Sequence, residues 1–172
     1  NERVDRLALS VLIEYDKDFN KVGYDIKESV INSKKRFTYT QVHAVLMDDP
    51  KALVEFKPFV SMLKNMNILA QKLMEQRQKA GYIEFDIPEV SISLNDLGDV
   101  LTVTKREQNE SHKLIEAFMV AANEVVAQHF CKLKIPFVYR VHETPAPEKV
   151  TTFVEYAKSL GIDAKLNVEN VT

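Results

Sequence analysis

His112 and Glu116 stand one helical turn apart within SHKLIEAFMVAANEVVAQHF, residues 111 to 130, and Asn123 falls close to the same line. At 100° per residue, Leu114, Ile115, Phe118, Met119, Ala122, Val125 and Val126 form a broad apolar face. Ala117, Val120, Ala121 and Ala127 leave most of the remaining circumference apolar as well. Such a helix is expected at the centre of a core. A carboxylate buried there costs several kcal/mol or shifts its pKa unless polar contacts meet it. Those contacts are either structural or a ligand. The four-residue spacing also permits a metal site, but that needs further ligands, and neither His129 nor His142 is obviously placed to supply them. Glu116 reads better as a hydrogen-bond acceptor for a bound ligand or as a satisfied core carboxylate.

Other chemistry-bearing residues are scattered. Lys34-Lys35-Arg36 could contact phosphate, although a solvated loop is the simpler reading. Tyr39 follows, able to stack, donate a hydrogen bond or pack. Phe85, in GYIEFDIPE, has the pattern of a core strand residue, and Lys105-Arg106 that of an exposed basic pair. There is no GxSxG nucleophile, and only 4 glycines leave no phosphate-cradling loop. No tight aspartate cluster offers the hard-oxygen cage that magnesium requires. These residues alone do not complete an active site.

The elements that must position them follow from periodicity. Leu7, Leu9, Val11, Ile13 and Tyr15 alternate as a strand; Val22, Tyr24 and Ile26, continuing to Val30, form its hairpin partner. Thr38 or Thr40 can cap a short helix that ends near Asp49-Pro50. A longer helix is predicted from Phe59 to Lys79, with Gly81 as its stop. Two short strands follow, Ile83 to Leu94 (interrupted near Pro88) and Val100 to Thr104, joined at Asn95-Asp96-Leu97-Gly98. After the polar-lined helix come a strand from Ile135 to Val141 and a helix from Pro147 to Leu160. The expected class is α+β, an antiparallel or mixed sheet with packed helices, without regular βαβ alternation.

Bulk properties bound the function. The 172 residues suit one domain, and 45% hydrophobic with 28% charged residues is an ordinary globular balance. A net charge of -2 argues against a stand-alone nucleic-acid module. The single Cys131 excludes an internal disulfide, and with no signal peptide a cytoplasmic location is expected. No apolar run spans a membrane, so no membrane partner is expected. Asn1 in place of methionine, leading at once into a strand, reads as a segment of a longer protein.

Five segments in order, VDRLALSVLIEYD, SVINSKKRFTYTQV, GYIEFDIPE, NESHKLIEAFMVAANEVVA and IPFVYRVHETPAPEKV, resemble the catalytic (RNB) domain of the ribonuclease II and ribonuclease R family. The likeness extends from about Val4 to Leu160. The Arg-Phe-Thr-Tyr segment and the AAN helix are closer to the ribonuclease R branch. The resemblance implies an RNB-type fold and a 3′-to-5′ exoribonuclease that hydrolyses RNA to nucleoside 5′-monophosphates with magnesium. It further implies that Tyr39 lies near the 3′-terminal nucleotides and that Phe85 stacks on a base. By the same resemblance Glu116 is expected to meet the terminal ribose hydroxyls, which would distinguish RNA from DNA.

By the same resemblance, the magnesium-binding aspartates lie upstream of Val4 and other assisting residues lie downstream. Residues 1 to 172 are then expected to be a partial RNB catalytic domain, inactive alone, with flanking RNA-binding domains elsewhere in the polypeptide. The partner implied by the resemblance is the single-stranded 3′ end of RNA. The competing expectation is a catalytically inactive RNB-like RNA-binding or regulatory module. A third reading, a self-contained α+β domain with a structural polar line, would make all five matches accidental.

Overall fold

The computed structural model describes residues 2–83, 90–105, 108–141 and 143–164. The chain divides into two compact units, Asn1–Ile135 and Pro136–Thr172.

The larger unit opens with an antiparallel hairpin, β1 (Asp5–Tyr15) and β2 (Lys21–Asn32), in which Leu7 faces Val30, Val11 faces Ile26 and Ile13 faces Tyr24. The turn is closed by Asp16, whose carboxylate accepts from the backbone N–H groups of Asp18 and Asn20, both at 2.8 Å. Near this turn the sheet lies on a helix: β1 packs against α4 (Glu110–Leu133), and the Tyr24 hydroxyl is 3.2 Å from His129 Nδ1. At the far end Leu7, Leu9 and Val30 are exposed.

Thr38, not Thr40, caps α1 (Tyr39–Leu46) in a reciprocal capping box: Gln41 N–H donates to Thr38 Oγ1 at 3.3 Å and Gln41 Oε1 accepts from Thr38 N–H at 3.0 Å. Asp49-Pro50, expected only as a stop, also starts a second helix, α2 (Pro50–Glu55). Asp49 accepts from Ala52 N–H at 2.9 Å, and proline at the first helical position forfeits no bond. A 3₁₀ turn, Lys57–Phe59, leads into α3 (Val60–Lys79), which stops before Gly81 at φ 96°.

Helix α3 joins two apolar clusters. Val45, Ala52, Phe56 and Leu63 form the first, with Phe37 edge-on to both Phe56 and Phe59 at 5.2 and 5.3 Å. Ala70, Leu114 and Ala117 form the second, and Met66 packs against both. The second hairpin, β3 (Val90–Leu94) with β4 (Val100–Lys105), is exposed throughout; Ile83 is not in a strand, and residues 84 to 89 lie outside the described set.

The α+β class is as expected, and every described strand pair is antiparallel. Two sequence expectations are corrected. Helix α4 is not buried nearly all round. Ser111, Leu114, Ala117 and Val125 are buried along one stripe, whereas Ile115 and Met119 are 39% and 59% exposed and Asn123 is exposed. Its apolar circumference exceeds what α1, α3 and β1 cover. In the second correction, residues 135–141 form no strand. Period-two alternation gives a strand only where a neighbour accepts the ladder, and Pro136 has no N–H to offer. The smaller unit holds α5 (Pro147–Ser159), with Val150 and Ala157 buried and Gly161 beyond its end at φ 80°.

Candidate functional site

The N-terminal turns of α1 and α4 meet. The Thr38 cap makes Tyr39 the first residue of α1, and an Asn109 cap starts α4 so that Ser111 and His112 fall in its first turn. The Tyr39 and His112 rings stack at 3.9 Å between centroids, 15° from parallel. Ser111, 1% exposed, reaches across to the Tyr39 backbone: its Oγ is 3.0 Å from the Tyr39 carbonyl oxygen and 2.5 Å from Asn109 Oδ1, two acceptors for one hydroxyl proton.

His112 Nδ1 has two neighbours on Asn109, the side-chain oxygen at 2.9 Å and the backbone N–H at 3.4 Å. A ring nitrogen donates or accepts but does not do both. The shorter contact favours Nδ1–H donating to the oxygen, which leaves Nε2 with the lone pair. Lower on the same seam, His43 Nδ1 is buried 3.3 Å from Glu110 Oε2, near enough for an ion pair when protonated, yet it makes no directional hydrogen bond.

Beside the stack opens a cleft of about 600 Å³. Arg36 and Tyr39 edge it from α1 and the preceding loop, Met62 and Met66 from α3, and Ser111 and Ile115 from α4. Apolar walls with a few polar groups at the rim suit a ligand with flat apolar parts and polar edges, such as a nucleobase with its sugar. Arg36 is held in this wall through its backbone: its N–H donates to Glu2 Oε1 at 2.7 Å. That bond, aided by the nearby Lys35 ammonium, holds the Glu2 carboxyl below its ordinary value. Lys34 bonds Asn32 at 2.9 Å, so the basic run is a tethered loop of which Arg36 reaches the cleft.

Glu116 lies half-buried one turn beyond His112, with no hydrogen bond or ion pair among the described residues. The polar line drawn from sequence therefore splits. His112 is engaged by Asn109 and Tyr39, Glu116 is unengaged, and Asn123 faces solvent. Tyr39 and His112 are brought together, Glu116 follows one turn further along α4 without lining the cleft, and Phe85 lies outside the described residues. His129, bonded to Tyr24, belongs to the hairpin contact instead. Sequence reasoning missed Asn109 and Ser111. The Asn-x-x-His spacing before an apolar run was a legible cap signal. Nothing local marks a serine that bonds a carbonyl 72 residues away.

No three His, Cys, Asp or Glu side chains converge among the described residues in a way that could hold a metal ion. No described helix is long and apolar enough to cross a membrane.

Comparison with known proteins places this geometry in context. The family model for the RNB domain matches residues 1–171. The chain is 41% identical to ribonuclease R of Thermotoga maritima over 167 residues, which cover 96% of this chain and 23% of that protein. It is 38% identical to ribonuclease R of Aquifex aeolicus over 161 residues, 94% of this chain and 23% of that one. Among solved structures, Mycoplasma genitalium RNase R in complex with ribose-methylated single-stranded RNA matches with a TM-score of 0.84 at 26% identity, over 100% of this chain and 27% of that one. The same protein in complex with double-stranded RNA matches with a TM-score of 0.85 at 26% identity, over 100% of this chain and 30% of that one. The chain thus spans less than a third of each of these relatives.

Proposed function

The chain belongs to the RNB-domain family, and from that premise we propose that it is part of a 3′-to-5′ exoribonuclease, within which it forms one wall of the pocket for the RNA 3′ end. The observation that carries this reading is the cleft beside Tyr39. Tyr39, 45% exposed, and Arg36 stand at the rim of apolar walls, and α4, which supplies Ser111 and Ile115 to the cleft, carries the unengaged Glu116 carboxylate one turn beyond His112. A ring face accepts any base. A carboxylate accepts from a ribose 2′-hydroxyl, a group DNA lacks. An arginine suits phosphate oxygens. The RNA in the complexes of the M. genitalium relative supports the same substrate class.

In this reading Tyr39 stacks on or edges the terminal nucleotide, Glu116 accepts from its ribose hydroxyls, and Phe85 supplies a second stacking surface. The full-length polypeptide is cytoplasmic and carries flanking RNA-binding domains, and residues 1 to 172 are one portion of its catalytic domain. Magnesium, when bound, would supply an activated water and neutralise phosphoryl charge. The described residues do not fit a magnesium cage, since no three suitable donors converge. Its ligands are assigned elsewhere in the polypeptide, and this chain's part is to bind and orient the RNA end.

The test is to incubate the full-length protein with magnesium and single-stranded RNA labelled at its 5′ end, alongside the 172-residue chain. Stepwise shortening from the 3′ end with release of nucleoside 5′-monophosphates is expected of the full-length protein and not of the chain alone. RNA binding without degradation would replace the reading with that of an inactive RNA-binding module. Shortening from the 5′ end, or turnover by the chain alone, would overturn it.

A further inference from the structure

The Tyr39 ring is the part of the cleft a nucleotide would touch, and its orientation is fixed by α4 rather than by α1. Its backbone carbonyl faces the buried Ser111 hydroxyl, and one ring face is covered by His112 at 3.9 Å. His112 is itself anchored, since Nδ1 lies 2.9 Å from Asn109 Oδ1, the cap that starts α4. The ring still leaves 45% of the residue open to solvent. An exposed tyrosine at a helix start would ordinarily visit several rotamers. This one has a flat, tethered partner on one face and a cleft beside it.

We propose that His112 is a positioning residue, with its imidazole serving as a backing plate that holds the Tyr39 ring at the angle needed to seat the terminal nucleotide. The proposal rests on the 3′-end reading of the cleft and adds a group which that reading leaves idle. Its chemistry is contact between two flat rings, so it depends on the planarity of His112 and not on its charge. Asn109 fixes His112, His112 fixes Tyr39, and Ser111 ties the Tyr39 backbone to the same turn. A small misplacement of a substrate-positioning group, of the order of 1 Å, costs roughly a hundredfold in rate. Loss of the plate is therefore visible in turnover even though His112 touches no reacting atom.

Two substitutions separate the plate from the cap. His112→Gln removes the ring but keeps a side chain that can bond Asn109, since its Oε1 can accept from the Asn109 N–H as Gln41 does for Thr38 in the same position of α1. His112→Phe restores a flat ring and loses the bond to Asn109. Both are made in full-length protein carrying 3-fluorotyrosine, with the Tyr39 fluorine resonance identified by its disappearance in Tyr39→Phe. Three readouts are taken: the rate of monophosphate release at saturating RNA, RNA affinity, and the position of that resonance. H112Q is expected to slow release by about tenfold or more, to change affinity less than rate, and to move the Tyr39 resonance. H112F is expected to recover most of the rate.

A parental rate in H112Q, a folded H112F as slow as H112Q, or a Tyr39 resonance unmoved in H112Q would overturn the plate. Should H112Q fail to fold, H112F decides, since a slow enzyme with unchanged melting behaviour overturns the proposal. If the parent releases no monophosphate, the exoribonuclease reading fails. The fluorine resonance then decides the positioning role alone: a shift in H112Q supports it and no shift refutes it.

Discussion

Glu116 sits half-buried on α4 with no hydrogen bond or ion pair to any described residue. A partly desolvated carboxylate in that state gains from a hydroxyl brought to it, and a hydrogen bond to a charged group contributes about 1.5–3 kcal/mol. That is roughly a 10- to 150-fold change in rate if the bond aligns the scissile phosphate. Glu116→Ala in the full-length protein is therefore expected to lower kcat by about that factor while leaving the Kd for long RNA nearly unchanged. In the proposed reading, overall affinity would come mainly from many phosphate contacts along the strand. Single-turnover cleavage and anisotropy titration measure the two separately, and an unchanged kcat would remove Glu116 from the site. The roles of Tyr39 and Glu116 came from motif resemblance. Composition and spacing alone left Glu116 open between ligand and core, because a carboxylate's partners are three-dimensional. The pairing of Tyr39 with the first turn of α4 had no sequence signal. It joins positions that only the packing of α1 against α4 brings together.

At the scale of elements, the cleft depends on α3 and α4 holding their separation. Leu114 is 2% exposed, packs with Ala70 and Ala117, and also lines the cleft. Leu114→Ala removes a buried side chain and leaves a void, at a cost of about 2–5 kcal/mol. The expected result is a lower denaturation midpoint by urea or heat, with cleft function lost alongside. A midpoint equal to the parent would mean the two helices collapse freely onto the gap. The hairpin turn responds to pH instead. The backbone N–H of Asn20, with the Asn20 side chain and the Asp18 N–H, holds the Asp16 carboxyl below the ordinary aspartate value. A depressed folded pKa means the stabilisation is present above the unfolded pKa and is lost as pH falls through the folded one. Hydrogen exchange at the Asn20 amide should accordingly accelerate, relative to a reference amide, once pH drops below the ordinary aspartate range; Asp16→Ala should show that faster exchange at neutral pH. Element boundaries were legible where one face is buried and the stop is local, as at the C-terminal end of α3 before Gly81. They failed at residues 135–141, where alternation met no pairing strand, and at α2, where Asp49-Pro50 both ends one helix and begins the next.

At the scale of the molecule, the far end of the first hairpin carries an exposed apolar face. Leu7, Leu9 and Val30 are 90%, 78% and 63% exposed and edge a groove of about 620 Å³ on one face of a sheet only two strands wide. Such a ribbon is marginal without a covering layer, and among the described residues α4 covers the end near the turn. Among the described residues no third strand pairs with either outer edge, and an open edge is a template for another chain. A net charge of -2 supplies little repulsion between copies. The 172-residue chain is therefore expected to self-associate in a concentration-dependent way through this end of the hairpin. Replacing Leu7 and Leu9 by lysine should return it to a monomer in sedimentation velocity. The cost to the fold should be small, because both side chains are already in solvent and a lysine at position 9 faces Glu28 across the ladder. The two lysines also gate a second question. If the double variant is monomeric with a parental circular dichroism spectrum, the bare face drives association without maintaining the hairpin. If the parent is already monomeric across the accessible concentration range, the exposed leucines are tolerated in water and the association argument fails.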